Sequence, residues 1–151
     1  MKLAEGLAIR ADQQKRLLQL RKRISDNAQV QEGDKPAEDP NKLLEEYIDL
    51  TEELLQMINK INRTNNQGQT ASGLSLAEAV TLRDHLKRQT DIYRGMAEAG
   101  LVRERYGRVE IKSVSMVNVS NLQRLADDTS QELRQLDTDI QEANWTTELL
   151  D

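Results

Sequence analysis

The chain has 151 residues, a length that suits one domain with a modest core. Charged residues make up 31% and hydrophobic residues 37%, with no Phe and one Trp, which is typical of long charged helices packed by aliphatic side chains. The absence of Cys excludes disulfides, thiolate metal sites and cysteine nucleophiles. No apolar run approaches the ~20 residues that span a bilayer, and residues 1–16 lack the apolar core of a secretory signal, so we expect a cytoplasmic protein.

The net charge of −5 is distributed unevenly, because basic and acidic residues are concentrated in different segments of the chain. Residues 1–25 carry seven bases and two acids, whereas residues 26–55 carry two bases and ten acids. Residues 113–151 carry two bases and eight acids. A basic first helix is therefore expected beside two acidic ones, because the opposite order places like charges together.

The first helix is predicted from about Lys2 to Asn27. Its apolar face is interrupted around Arg10 and Gln14, where we expect looser or partly wet packing. The residues of that face are Leu3, Leu7, Leu17, Leu20 and Ile24. Gly33 and Pro36 then end helical structure within a connector of residues 28–40.

The second helix is predicted from Pro40 to Asn65, with Asp39 as its N-cap. Its apolar stripe is wider than a two-stranded seam needs, which favours a bundle. The expected heptad series is Leu44, Tyr47, Thr51, Leu54, Ile58, Ile61 and Asn65. The residues that broaden the stripe are Leu43, Ile48, Leu50, Leu55 and Met57.

The third helix is expected to follow a polar loop of residues 66–75. Ser75 and Glu78 are spaced as a capping box. The pattern ends at Ala99, with Gly100 as a left-handed cap.

Residues 103–120 do not show a helical pattern. Their alternation changes phase twice, which predicts short extended pieces with a bulge or bend. The candidate self-association strand consists of Val109, Ile111, Val114, Met116 and Val117. Ser120 and Gln123 then fit a capping box for the fourth helix, whose seam is Leu122, Ala126, Thr129, Leu133, Leu136, Ile140 and Ala143.

These elements predict a single mainly α-helical domain over residues 1–151, an antiparallel up-down-up-down four-helix bundle with coiled-coil-like packing. This order places the connector 28–40 and the stretch 103–119 at one pole. Because an unpaired strand leaves hydrogen-bonding groups free, we expect residues 28–32 and 109–117 to form a small β-like element, within one chain or between two copies.

The second pole gathers a polar cluster at the ends of two helices. Its members are Asn62, Arg63, Thr64, Asn65, Asn144, Trp145 and Thr146. They form a candidate interaction site for a ligand or partner. The alternative is that they cap two helix C-termini, with Trp145 covering the base of the bundle.

Other candidate sites are weaker. His85 stands mid-helix and lacks the Glu-x-x-His partner of carboxylate-bridged metal bundles, since position 82 is Leu. An acidic patch on the second helix is expected to be a solvated face rather than a divalent-cation site; it comprises Glu45, Glu46, Asp49, Glu52 and Glu53. We therefore predict no catalytic residue, no metal and no cofactor.

Four stretches together resemble the septicolysin-like family of small bacterial helical proteins of unknown function. They are VQEGDKPAEDP at 30–40, INRTN at 61–65, VEIKSVSMV at 109–117 and NWTTEL at 144–149. The resemblance covers essentially the whole chain and implies no catalytic or ligand residues. The family name implies a cytolysin.

The sequence thus predicts a non-enzymatic helical protein that acts through self-association or another protein partner, most simply as a homo-oligomer. A nucleic-acid-associated protein is the first alternative, because Lys15-Arg16 and the run 21–23 are basic, although no aromatic residues are interleaved for base stacking. A membrane-acting protein, as the family name implies, is the second.

Overall fold

The structure, a computed structural model, describes residues 1–102 and 111–151. Within these two ranges lie four α-helices, α1 (Leu3–Asn27), α2 (Pro40–Gln67), α3 (Leu76–Ala99) and α4 (Val119–Thr146). The helices pack as up-down pairs, and the predicted all-α class is confirmed. Two compact units are formed, one by Met1–Gln69 with Glu142–Asp151 and the other by Thr70–Gln141.

Side-chain caps fix where several helices begin. The Asp39 side chain accepts a hydrogen bond from the Asn41 amide at 2.9 Å, and Pro40 occupies the first helical turn, as predicted. The predicted capping box of α3 is also confirmed, because the Ser75 hydroxyl accepts from the Glu78 amide at 3.1 Å while the Glu78 carboxylate accepts from the Ser75 amide at 3.0 Å.

The first pair, α1 with α2, is antiparallel. Leu20 near the end of α1 packs with Leu43 and Leu50 in the first half of α2, whereas Gly6 near the start of α1 lies against Met57. The expected charge complementarity is present within this pair, where Arg16 Nη2 lies 3.8 Å from Glu46 Oε1. Both side chains are about half exposed, so this ion pair adds little to stability.

The α2 seam matches the predicted series at Tyr47, Leu54 and Ile61 but not at its first residue, Leu44. Leu43, Leu50 and Thr64 are buried, whereas Leu44 is 48% exposed. Positions 43, 50, 57 and 64 form a heptad series with the same spacing as the predicted series, and the two series share Tyr47, Leu54 and Ile61. Either choice satisfies the 3.5-residue repeat, and only packing against α1 distinguishes them.

The second pair, α3 with α4, is also antiparallel. Its core consists of Ala79 and Leu86 from α3 with Leu136 and Ile140 from α4. The predicted α4 seam is confirmed at its buried positions, which are Ala126, Leu136, Ile140 and Ala143. A 3.5-residue apolar repeat on both helices produces this packing.

The connector between α1 and α2 does not contain the predicted strand at residues 28–32. Gly33 turns the chain at a φ of 89°, a conformation that favours glycine. Side chains then hold the connector against α1: the Asn27 side-chain oxygen accepts from the Glu38 amide at 3.0 Å, and the Arg23 guanidinium forms two hydrogen bonds to the Glu38 carboxylate. The hydrogen bonds from Arg23 lower the pKa of the Glu38 carboxyl. The connector is therefore fixed by side-chain bonds rather than by a strand ladder.

The segment before α4 corrects three predictions. Residues 111–117 are irregular rather than a strand, and Val109 lies outside the described residues. α4 is capped by Asn118, whose side chain accepts from the Asn121 amide at 2.9 Å, rather than by Ser120. Gly100 has a φ of −81° and is not a left-handed cap. It is glycine for another reason, because a Cβ there would clash with Cγ2 of Val117.

Candidate interaction site

Residues 147–151, here called the tail, dock beside the start of α1. The Leu3 amide donates to the Thr147 carbonyl at 3.0 Å, and the Leu149 amide donates to the Met1 carbonyl at 2.8 Å. These two bonds make an isolated antiparallel bridge between Lys2 and Glu148. The start of the chain and the tail thus pair through their backbones, independently of side-chain identity.

Charge complements this backbone bridge. Lys2 Nζ lies 2.6 Å from one oxygen of the Glu148 carboxylate, and the Met1 ammonium lies 3.2 Å from the other. Hydrogen bonds from Lys2, and then from the Met1 ammonium, lower the pKa of Glu148 from its ordinary value. Glu148 therefore fits this position as the ionised carboxylate.

The last turns of α2 hold the other end of the tail. Lys60 Nζ donates to the Asp151 carboxylate at 2.8 Å, and Arg63 Nη1 donates to the Asp151 main-chain oxygen at 2.8 Å. One residue earlier in the tail, the Leu150 amide donates to the hydroxyl of the fully buried Thr64 at 2.9 Å. The pKa of Asp151 is lowered, mainly by its hydrogen bond from Lys60.

An apolar notch lies between the polar contacts of Glu148 and those of Asp151. Gly6 is buried, and a Cβ built on it would lie 3.0 Å from Cδ2 of Leu149 and 3.5 Å from the sulfur of Met57. Glycine therefore leaves the space that the leucine fills. We call residues 1–6 and 57–64 together the docking surface.

The residues of the predicted interaction pole have different environments. Thr64 and Asn144 are buried, Asn65 is half-buried, and Asn62 and Arg63 are exposed. Arg63 and Thr64 bind the tail. The Thr146 carbonyl accepts from Lys2 Nζ at 3.2 Å, so both helix ends in the prediction meet the docked tail.

Trp145 does not cover the base of its unit. Its side chain is 61% exposed, so that part of the capping alternative is wrong. Thr146 does satisfy a carbonyl near the end of α4, because its hydroxyl donates to the Glu142 carbonyl at 2.9 Å. Polar capping and solvent exposure thus occur at adjacent residues.

Sequence reasoning missed most of the docking surface. Lys2, Gly6 and Lys60 were not predicted as site residues, and neither were Glu148 and Asp151 of the tail. The available signal was charge: Lys60 and Arg63 are three residues apart on one helix face, and the last four residues, Glu-Leu-Leu-Asp, carry two acids around two leucines.

Three of the four described residues of the predicted self-association strand are solvent-exposed. Ile111 is 85% exposed, Val114 is 75% exposed and Met116 is 89% exposed. Val117 is half-buried against Gly100. The segment is therefore anchored at one end and presents three large apolar side chains to solvent.

Other candidate chemistry is sparse. His85 is exposed. In the described ranges, no group of three or more His, Asp or Glu side chains is arranged to hold a metal ion. None of the helices in those ranges is long and apolar enough to cross a membrane.

The fold and docking surface define an all-α protein of antiparallel helix pairs whose tail is bound at the start of the first pair. Residues 10–149 match the model of a family of unknown function, DUF6847, and the chain belongs to that family.

The solved structures include a functionally unknown conserved protein from Corynebacterium diphtheriae that is 41% identical to this chain. The match covers 99% of this chain and 98% of that one, with a TM-score of 0.93. No curated protein matches the chain.

Proposed function

We propose that the protein is non-enzymatic and acts through self-association, with the segment 111–117 as its contact surface. The observation that supports this proposal is the exposure of Ile111, Val114 and Met116, each at least three-quarters exposed. Large apolar side chains that cluster on a surface commonly mark sites of protein interaction. Burying them against a second molecule would remove that apolar area from water.

The anchoring of the segment favours a specific contact over non-specific association of apolar surfaces. Gly100 lets Val117 approach the end of α3 closely, and the Ser115 hydroxyl donates to the Val117 carbonyl at 3.1 Å. A second copy of the chain offers the same apolar segment, and a two-fold contact pairs one surface with itself. The partner that this chemistry fits is therefore another copy.

The nucleic-acid alternative is less well supported. Arg23 is held by Glu38 and Arg16 lies beside Glu46, so two of the bases that suggested phosphate binding already face carboxylates. Binding to a phosphate backbone depends on bases that replace counterions. Membrane action, implied only by the name of the septicolysin-like family, stays a prediction of that resemblance.

Light scattering over a wide range of protein concentrations tests self-association. We expect the wild-type protein to exceed the monomer mass and Val114→Asp to shift it toward the monomer, because the new carboxylate would be buried without a partner. Ser120→Asp is the matched control, since it adds the same charge at an exposed position outside the segment. A wild-type monomer at every concentration would rule the proposal out.

A further inference from the structure

We propose that the docking surface is a peptide-binding site that also accepts the tail of a second copy, so that two molecules exchange residues 147–151. This inference rests on the proposed self-association and adds a second surface to it. The site takes an acidic, leucine-containing segment in an extended conformation. The chain's own tail shows what chemistry the site recognises.

Three contacts with different chemistry make the site selective. Lys2 faces the carboxylate of Glu148 at 2.6 Å, Gly6 leaves space for Leu149, and Lys60 faces the carboxylate of Asp151 at 2.8 Å. The backbone bridge fixes the register, so acid, leucine and acid must follow one another at set positions. Strand addition combined with side-chain pockets is a recurrent mode of peptide recognition.

Exchange with a second copy conserves every one of these contacts. A tail that leaves its own molecule and docks on another forms the same bridge and the same ion pairs. The change in path falls at the junction of α4 and the tail, where the Thr147 amide now donates to the Ala143 carbonyl at 2.9 Å. At low concentration the tail stays on its own molecule because a short link gives a high effective concentration, and exchange grows as the protein concentration rises.

Two apolar residues at the site remain largely exposed while the tail is docked within one molecule. Trp145 is 61% exposed and precedes the Thr146 carbonyl that accepts from Lys2. Met1 is 58% exposed beside the bridge. Contact between two copies at this surface would remove part of that apolar area from water.

The geometry of the bridge allows a direct test by disulfide capture. Lys2 and Glu148 form the antiparallel pair that lies between the two backbone bonds. Cα atoms of such pairs are about 4.5 Å apart, which falls within the range that a disulfide requires. The chain has no Cys of its own, so any disulfide reports only the introduced pair.

Lys2→Cys protein labelled with ¹⁵N is mixed with unlabelled Glu148→Cys protein and oxidised at increasing concentrations. Mass spectrometry then measures disulfides that join a labelled to an unlabelled chain. We expect the 2–148 cross-link to increase with concentration and to exceed the control several-fold. The control mixes Glu148→Cys with Lys22→Cys, an exposed position some 30 Å along α1 at 1.5 Å per residue.

The double variant Lys2→Cys/Glu148→Cys establishes that the site itself forms. We expect an intramolecular disulfide in dilute protein, and disulfide-linked dimers that increase with concentration. Failure of the dilute double variant to form the bond overturns the docking geometry, and cross-linking no higher than the Lys22→Cys control overturns exchange. If exchange fails while wild-type protein still exceeds the monomer mass, the proposed self-association stands and only this inference is lost.

Discussion

Polar side chains interrupt the apolar seams of both helix pairs, but the two pairs differ in how these side chains are hydrogen-bonded. In the second pair, the Thr90 hydroxyl lies 2.9 Å from that of Thr129, and Arg94 donates to the Ser130 hydroxyl at 2.7 Å. In the first pair, the side-chain oxygen of Gln13 is buried and has no hydrogen-bond partner among the described residues. A similar heptad pattern therefore accommodates both a satisfied and an unsatisfied polar layer.

The difference shows where each pair gains its stability. A buried polar group without a partner costs about 1–3 kcal/mol, whereas a hydrogen-bonded one is close to neutral or mildly favourable. The first pair carries that cost at Gln13, and it also has the tail fastened across its end. In the second pair, the Thr90–Thr129 and Arg94–Ser130 contacts join α3 directly to α4.

The largest expected effect tests whether the apolar layers of the two pairs are equivalent. Leu20→Ala in the first pair and Ile140→Ala in the second each truncate a side chain that is 2% exposed. Each change should lower the free energy of unfolding by about 2–5 kcal/mol, because both leave a cavity. Denaturant unfolding followed by circular dichroism measures the loss.

The same pair of variants also tests the comparison itself. A large loss for one and almost none for the other would mean that one seam is not a packed core. Leu18→Ala serves as the control, since Leu18 lies on α1 but is 69% exposed. We expect that variant to change the free energy of unfolding by less than about 0.5 kcal/mol.

The next effect concerns the polar layers, where we expect opposite signs. Gln13→Leu keeps nearly the same volume and removes the unpartnered side-chain oxygen. It should raise the free energy of unfolding by about 1–3 kcal/mol, as when an unsatisfied buried group is replaced by an apolar one. The matched change in the second pair, Thr90→Val, should lower it by about 1 kcal/mol because a hydrogen bond is lost.

Denaturant unfolding of both variants in parallel checks this prediction. If both substitutions change the free energy of unfolding in the same direction, the two polar layers do not differ in hydrogen bonding as described. A destabilising Gln13→Leu would show that Gln13 is hydrogen-bonded in solution, and the comparison would then have to be abandoned.

The smallest effect is a difference in acid sensitivity between the two pairs. The folded-state pKa values of Glu148 and Asp151 lie below their ordinary values of 4.5 and 3.8. Their stabilising effect is therefore fully present above those ordinary values and is lost as the pH falls below them and through the lower folded-state pKa values, because protonation favours the undocked tail. Acid should release the tail of the first pair before it disturbs the Thr90–Thr129 contact of the second.

Two observables follow this release. Trp145 is the only Trp and stands two residues before the tail, so a change in the path of the tail alters the surroundings of its exposed indole. Amide chemical shifts of Leu149 and Thr90 follow the two pairs separately. Glu148→Gln is the control, since it should flatten the upper part of the Trp145 titration, and an unchanged profile in that variant would contradict the assignment.

Sequence reasoning predicted the helices well because their ends carry local chemical signals. Asp39, Pro40, Ser75 and Glu78 act within one turn of chain, so no knowledge of the rest of the fold is needed. The α4 seam was also predictable, since a single heptad series fits it. For α2, two overlapping series fitted equally well, and only the contact with α1 selects the series that contains Leu43.

The site was harder to predict because it depends on contacts distant in sequence. The tail has five residues, too few for a periodic signal, and its partners Lys2 and Lys60 lie 146 and 91 positions away from Glu148 and Asp151. The strand-like alternation around Ile111 was misleading, since β pairing needs a partner edge that alternation alone does not supply. Placement of both helix pairs in one bundle, with the two connectors at a shared pole, stays a prediction.

The notch at Gly6 couples two positions that are almost the whole chain apart. A methyl group at position 6 would lie 3.0 Å from Leu149, so a mutant with Ala there would have to carry a smaller side chain at position 149 to keep the same path. Among homologous chains these two positions should consequently co-vary, with bulk moving from one to the other. A single glycine near the beginning thereby governs which amino acids the far end can tolerate.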